Sequence, residues 1–465
     1  MRKGKTMVLV RHFPDALHVC TYDVRGRFVD SGMIKPARTS GVVEHTHQLL
    51  AGIVREHPET RIAITQTGGS SVAACPVRPL QVPDGPIVQW RSVATGFPQY
   101  LRAGEATDGK DPALVRRYYE ERIDDPANPV WLSLAERYTA VVRAAGTAHL
   151  LVQGINPLVA VLKAEQFGVL AKAGLDWLNV TAVVHDTAGA GRRLGYLARR
   201  IDHTGLTLKL IAVSGMIGQG LIDAGVPAGT VSTVLNGLDA DEFERRLDGA
   251  RGVFPRVAAR NGVPRDGRIV LVSARRVPWK GHQDVIEATG ILRDRGRADD
   301  VRVMINGAGM SDNRWPAYDN DLAAQIHRRG LDGTVVLLDE LDPTEVASCY
   351  TAAHVAVLAS REAEPFGYAN VEAMLAGVPV ITTAHGGPAE YIEDGVSGLL
   401  VPPEEPAAIA EALDRVLRDP ALHDRLARAG RAAAQRLSLR AMADSYIDLI
   451  TRRVPVGTFA GAGSR

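Results

Sequence analysis

The sequence predicts an α/β protein of two Rossmann-like domains, at 1–240 and 241–437, followed by a terminal helix and tail at 438–465. Three observations carry this. Short, nearly continuous apolar runs alternate with helical segments twice over, and such runs belong to parallel strands covered on both faces. Between the two sets the texture turns polar and turn-rich, NGLDADEFERRLDGARGVFPRVAARNGVPRDG at 236–267, as at a domain boundary. The 465 residues are long for one domain and comfortable for two.

In the first half the strand-like runs are MVLV at 7–10, HVCTYDV at 18–24, IAIT at 62–65, HLLV at 149–152, VTAVVH at 180–185, LIAVS at 210–214 and TVSTVL at 230–235. A helix fits 42–57, where Val43, Leu49, Leu50 and Ile53 share a face, and another fits 132–145. The region 84–135 breaks the rhythm. It holds Trp90, Tyr100, the polar stretch RAGEATDGKDPA and the charged surroundings of Tyr118 and Tyr119, and reads as an insertion on the functional edge of the sheet. The second half repeats the alternation with RIVLVSA at 268–274, VRVMING at 301–307, TVVLLDE at 334–340, HVAVLAS at 354–360, VPVIT at 378–382 and GLLVP at 398–402. Helices at 406–417, 420–436 and 438–452 follow, and the tail RVPVGTFAGAGSR is expected to stay outside the fold.

Composition narrows the function. Hydrophobic residues make up 46%, charged residues 23%, and the net charge is +1, so no nucleic-acid partner is implied. Peripheral membrane contact and a homodimer stay open. Cys20, Cys75 and Cys349 form no CxxC grouping, which points to neither a disulfide framework nor a zinc site. The first apolar run, four residues long, is too short for a signal-peptide core or a membrane span, and a cytoplasmic location is the default expectation. The 46 glycines and abundant Ala and Arg suggest a bacterial source.

The densest chemistry lies in REAEPFGYANVEAMLAGVPVI at 361–381. Pro365 and Gly367 stop a helix from continuing through Glu364, whereas Tyr368, Val371 and Leu375 take helical spacing until Gly377 and Pro379 end it. Glu364 therefore sits in a loop and Glu372 on a helix, within a strand, loop, helix, strand unit. The helix N-terminus of such a unit offers backbone N–H groups to an anion, and carboxylates beside it accept sugar hydroxyls in pairs. Taken alone, the acid pair also fits a surface loop and an exposed helix.

A second stretch, VSARRVPWKGHQDVIEA at 272–288, ends a strand and opens a helix near Gly281. Arg275 and Lys280 stand on its turn, where fixed cations suit the negative charge that grows on a departing diphosphate. His45 and His47, two apart on a helix, point in different directions and do not make a metal pair, and no acid pair stands out as a metal site.

With Glu364, Pro365, Phe366, Gly367 and Glu372 in place, the first stretch resembles the donor-site signature of retaining glycosyltransferases of the GT-B fold, family 4: Glu, seven residues, Glu, with Pro-Phe-Gly after the first. The second stretch is similar to that family's Gly-Arg-Leu-Val-Pro-Glu-Lys-Gly loop, with Ala274, Arg276 and Trp279 as departures. INGAG at 305–309 resembles its donor-binding Gly-x-Gly loop, and LLDELDP at 337–343 its base cradle, with Asp339 where Gly is usual. AHGGPAEYIEDGVSGLLVPP at 384–403 and NGLDADEF at 236–243 are similar to further family stretches, the former placing Gly386 and Gly387 near the donor and Glu390 as a loop brace.

The resemblance implies two domains facing across a cleft and a last helix crossing back to the first. It implies transfer of a sugar from an NDP-sugar to a hydroxyl-bearing acceptor, with retention, no required cofactor and no metal. Glu364, His185, Lys280 and Arg275 would be catalytic. Donor-binding groups would be Arg275, Lys280, Gly307, Gly309, Leu341, the amides of Phe366 and Gly367, Glu372 for the ribose, and Gly41 near the diphosphate. A nucleotide-sugar epimerase or phosphorylase of the same architecture, or an inactive nucleotide-sugar-binding regulator, are the alternatives.

Overall fold

The computed structural model describes residues 17–21, 41–68, 87–94, 116–264, 266–307 and 317–451. Two sheets dominate it, with every neighbouring pair of strands parallel. The first contains β1 (Leu17–Thr21), β2 (Ile62–Gly68), β3 (Ile87–Ala94), β4 (His149–Gln153), β5 (Asn179–Val184), β6 (Thr207–Ala212) and β7 (Val231–Thr233), in the order β3-β2-β1-β4-β5-β6-β7. The second contains β8 (Arg268–Ser273), β9 (Val301–Asn306), β10 (Val335–Leu337), β11 (Val355–Leu358), β12 (Val380–Thr383) and β13 (Leu399–Val401), in the order β10-β9-β8-β11-β12-β13. Burial on both faces explains the unbroken apolar runs: Leu150, Leu151 and Val152 of β4 and Val270, Leu271 and Val272 of β8 are all buried. The expected run at 7–10, the tail, Tyr100 and all of the polar stretch after it lie outside the described residues.

The region 84–135 corrects the sequence reading. Residues 87–94 are the edge strand of the first sheet, paired with β2. An edge strand carries polar residues among its apolar ones, here Gln89, Arg91 and Ser92, and so lacks the continuous run that marks its inner neighbours. Further on, the helix Pro129–Ala145 starts three residues earlier than expected because Asn128 caps it, accepting from the amides of Val130 (3.1 Å) and Trp131 (3.4 Å). Val130 and Trp131 are fully buried in the first core. Glu120, on the turn Arg116–Glu121, accepts from the amides of Arg192 and Arg193 at the start of the helix Gly191–Ile201.

Two bodies result, and the chain passes between them twice, side by side. Leu238 on the way out donates its amide to Leu437 O on the way back (2.9 Å), and Leu238 and Ser438 form a bridge. The terminal helix Leu439–Thr451 then docks on the first body, where Leu439, Met442, Ala443 and Tyr446 join the core. Its seat is the helix Gly41–Glu56. A Cβ on Gly52 would stand 3.1 Å from Leu439 O and 3.2 Å from the Ala443 Cβ, tighter than ordinary contact, so glycine eases the close approach of the two helices here.

Candidate active site

In a parallel sheet ligands gather outside the carboxyl ends of the strands, where the strand order reverses. In the second sheet that point lies between β8 and β11. The loop after β8 runs through Arg275 and Arg276 into the short turn Pro278–Lys280, and the loop after β11 carries Ser360, Arg361 and Glu364. The two loops touch at Gly281 (φ 68°), where a Cβ would stand 1.8 Å from Ala359 O, so no other residue allows this approach.

That approach joins opposite charges. Lys280 Nζ donates to Glu364 Oε2, and Ser360 Oγ donates to the same oxygen at 3.1 Å. The Lys280 and Glu364 side chains are only 16% and 12% exposed, so the pair is held largely out of water. A fork of two bonds fastens the loops behind it, from Arg361 Nε (2.7 Å) and Nη2 (2.6 Å) to the buried carboxylate of Asp284, while Arg361 N donates to Trp279 O at 2.8 Å. Arg275 is half-buried; its carbonyl accepts from Val277 N at 2.9 Å, and its side chain makes no hydrogen bond or ion pair with the described residues. Gly307 (φ 118°) lies directly behind it: a Cβ there would stand 2.0 Å from Ala274 O. Gly309 lies outside the described residues.

The loop beyond Glu364 is fixed by its backbone. Gly387 N donates to Glu364 O (2.8 Å), and the Tyr391 hydroxyl donates to the carbonyls of Phe366 (2.7 Å) and Gly367 (3.2 Å). Phe366 is buried, packed against Tyr368 and Tyr391, and Gly367 (φ 84°) opens the helix Tyr368–Leu375. The first amides of such a helix have no partner within it, the arrangement that lets a helix N-terminus take up an anion. On it, Glu372 accepts from the Tyr350 hydroxyl at 2.9 Å. Burial, and then the Glu372 charge, push the Tyr350 phenol well above its ordinary range, so it stays a proton donor to the carboxylate.

Leu341 is partly buried at the carboxyl side of β10, against the core of the second body. Nearby, the Arg276 guanidinium is buried, bonded to the Asp319 carboxylate (2.8 and 2.9 Å) and to Leu338 O (2.8 Å). This departure from the expected Leu therefore buttresses the segment before Leu341.

In the first body, order reverses between β1 and β4, and three adjacent strands deliver residues to that edge. Gln153 ends β4 and accepts from His185 Nε2 (2.7 Å), His185 follows β5, and His45 stands one turn into the helix after β1. The His45 and His185 rings meet edge to face, 4.7 Å apart. Burial drives both imidazoles towards the neutral form, His185 down to about 3 and His45 well below its usual value, the latter helped by His185. Gly41, the first residue of that helix, is exposed at the same edge.

Glu390 departs from the expected loop brace. Its carboxylate reaches the other body and accepts from the amides of Gly215 (2.8 Å) and Met216 (3.0 Å), at the start of the helix Gly215–Asp223 that follows β6. The carboxyl edges of the two sheets thus face one another. Lys280 with Glu364, and Glu372 with its helix, gather on one side; His185 and Gly41 stand on the other.

The sequence alone does not bring Gln153, Tyr446 or the Arg361–Asp284 fork to the site, and it offers His45 only as half of a metal pair, which the spacing sets aside. His45 had a signal, since it precedes Leu49 and Ile53 by one and two turns and so shares their buried face. Among the described residues no group of three or more His, Cys, Asp or Glu is arranged to hold a metal ion, and no helix is long and apolar enough to cross a membrane.

Residues 254–433 match the family model Glycosyl transferases group 1. The D-inositol 3-phosphate glycosyltransferase of Arthrobacter sp. (strain FB24) is 34% identical over 214 residues, 44% of this chain and 49% of that protein. The protein of the same name from Frankia alni is 36% identical over 208 residues, again 44% and 49%. The chain spans about half the length of the curated relatives it matches. Among solved structures, the trehalose-6-phosphate synthase OtsA superposes with a TM-score of 0.69 at 12% identity, covering 94% of this chain and 99% of that one. Anabaena Alr3699/HepE in complex with UDP and glucose gives 0.65 at 17% identity, covering 94% and 99%. At such identities the likeness is one of fold, the two-body GT-B architecture.

Proposed function

We propose, from the match of residues 254–433 to the glycosyl transferases group 1 model and from the GT-B fold, that this chain transfers a sugar from an NDP-sugar to a hydroxyl-bearing acceptor, with retention of anomeric configuration and without a required metal. One observation carries the reading: Lys280 and Glu364, 84 residues apart, meet at the strand-order reversal of the second sheet. A cation and a carboxylate held together there fit the two ends of an activated sugar, a diphosphate and a ring of hydroxyls.

In this reading Lys280 turns from Glu364 to the diphosphate when the donor enters, joined by Arg275 and by the amides of Phe366 and Gly367. Glu364, released, accepts hydroxyls of the donor sugar, and Glu372 accepts those of the ribose. The bond between the anomeric carbon and the phosphate oxygen breaks, and its electron pair stays on the phosphate, where Lys280 and Arg275 stabilise it. The acceptor oxygen bonds to the same face of the anomeric carbon and its proton passes to the departing phosphate. His185, neutral at pH 7, orients the sugar from the first body. Leu341 and Gly307 line the nucleotide end, and Gly41 the diphosphate.

The names of the relatives make an inositol phosphate the first acceptor to test, and the UDP complexes make uridine the first base. The test is incubation with UDP-, GDP-, ADP- and dTDP-sugars, with and without acceptor, followed by proton NMR of the product. An acceptor-dependent α-glycoside from an α-linked donor supports the reading. A change in the donor without acceptor favours the epimerase, and donor binding without release of nucleotide across the acceptor panel favours the regulator.

A further inference from the structure

The terminal helix brings one polar side chain to the interior of the first body. Tyr446 is fully buried, and its hydroxyl lies 3.0 Å from His45 Nε2 across 401 residues of sequence. The two rings lie 5.7 Å apart and tilted. His45, itself fully buried, sets its ring edge to face against His185, whose Nε2 is fixed by Gln153. A line of contacts therefore runs from the helix that closes the chain to the imidazole at the sugar end of the site.

A core built only for stability would be apolar here. Instead His45 Nδ1 and Gln153 Nε2 are buried with no hydrogen bond of ordinary geometry among the described residues, the Gln153 side chain lying close enough to His45 to act on its charge, and a polar pair held this way costs free energy. We propose that Tyr446, acting through His45, is a positioning residue for His185, which ties the orientation of that imidazole to the seating of the terminal helix. Because this helix follows directly on the donor-binding body, the pose of His185 then depends on both bodies. The proposal rests on the glycosyltransferase reading for its kinetic consequence but not for its structural one.

The test combines two readouts on Tyr446→Phe, with His45→Asn as a second route to the same contact. In transfer assays Tyr446→Phe is expected to lower kcat about tenfold with donor KM within twofold, since small misplacements of a reacting group affect turnover more than binding. In a His185→Ala background the same change is expected to have almost no further effect. An unchanged kcat, or an equal loss with and without His185, overturns the proposal. In 15N spectra of histidine-labelled protein, Tyr446→Phe is expected to shift the His185 ring nitrogens, and unmoved His185 signals overturn it. Shifted signals in a protein that transfers no sugar would overturn the glycosyltransferase reading and leave the positioning role standing.

Discussion

The two carboxyl edges that face each other are built from opposite materials. On the second body the edge is ionic: Lys280 on Glu364, Arg361 on Asp284, Arg276 on Asp319, with Arg275 and Glu372 alongside. On the first body the strand-order reversal is lined by uncharged groups, His45, His185 and Gln153 backed by Tyr446, both imidazoles driven neutral by burial, with charges such as Asp186 and the Arg193–Glu120 pair further along the same edge. Fixed charges suit a ligand whose charge grows during reaction, and neutral donors and acceptors suit one that presents hydroxyls. In the proposed reading the leaving diphosphate is stabilised chiefly from the second body, and the sugar is held between Glu364 there and His185 on the first.

The sharpest way to break that division is to remove a charge from the ionic edge. Lys280→Ala or Glu364→Ala is expected to lower turnover about a thousandfold, the scale of losing a fixed electrostatic group at a reacting centre. Each single variant also leaves a largely buried charge without its partner, so some loss of thermal stability is expected and a cooperative unfolding transition checks that the fold is kept. Undiminished turnover in both would remove the ionic edge from the chemistry.

The neutral edge makes its own prediction through pH. An unfolded histidine takes up a proton near 6.5, whereas folded His185 resists until about 3. The unfolded state therefore binds more protons as pH falls, so stability is complete above 6.5 and declines below it, by about 1.4 kcal/mol per pH unit for each such residue. His45 adds in the same direction, and so does His282 of the second body, held down to about 4 by burial. Calorimetric midpoints should drop between pH 6.5 and 5, and His185→Gln should flatten the profile. A midpoint that does not move would mean that these imidazoles charge freely in the folded protein.

Smaller effects sharpen the picture further. Glu372→Gln is expected to weaken donor binding by about 2 kcal/mol, as a charged acceptor becomes a neutral one while Tyr350 keeps a partner. Equal loss of affinity for the free nucleoside diphosphate would place the effect at the ribose, and loss for the sugar nucleotide alone would move Glu372 to the sugar. Glu390→Gln removes one charge from the start of a helix in the opposite body and is expected to cost about 0.5–1 kcal/mol of closure, read as a donor KM raised two- to fivefold. A KM unchanged in Glu390→Gln would show that this contact is not part of closure.

What the sequence made legible follows from the range of the signal. Glu364, Phe366, Gly367 and Glu372 lie within nine residues, and strand ends can be read from apolar runs, so one sheet edge and its acids were visible before any coordinates. Lys280 stood out by its turn beside Gly281. Contacts that join distant segments carry no such mark. The Arg361–Asp284 fork spans 77 residues and the Tyr446–His45 contact spans 401, and neither leaves a local spacing to read. Glu390 was visible as an acid near a Gly pair, but not the body it reaches, which only the docking of the two sheets decides. The edge strand 87–94 was hidden because pairing on one side demands no continuous apolar run.

The most direct test of the ionic edge is calorimetric titration of the full chain with the sugar nucleotide that binds it best, repeated on Lys280→Ala. Saturable binding to the parent chain is expected, with an affinity about a hundredfold weaker in the variant, the scale of a charge-assisted phosphate contact. The same affinity in both would contradict it, since a diphosphate held at the reversal between β8 and β11 cannot be indifferent to the cation that stands there.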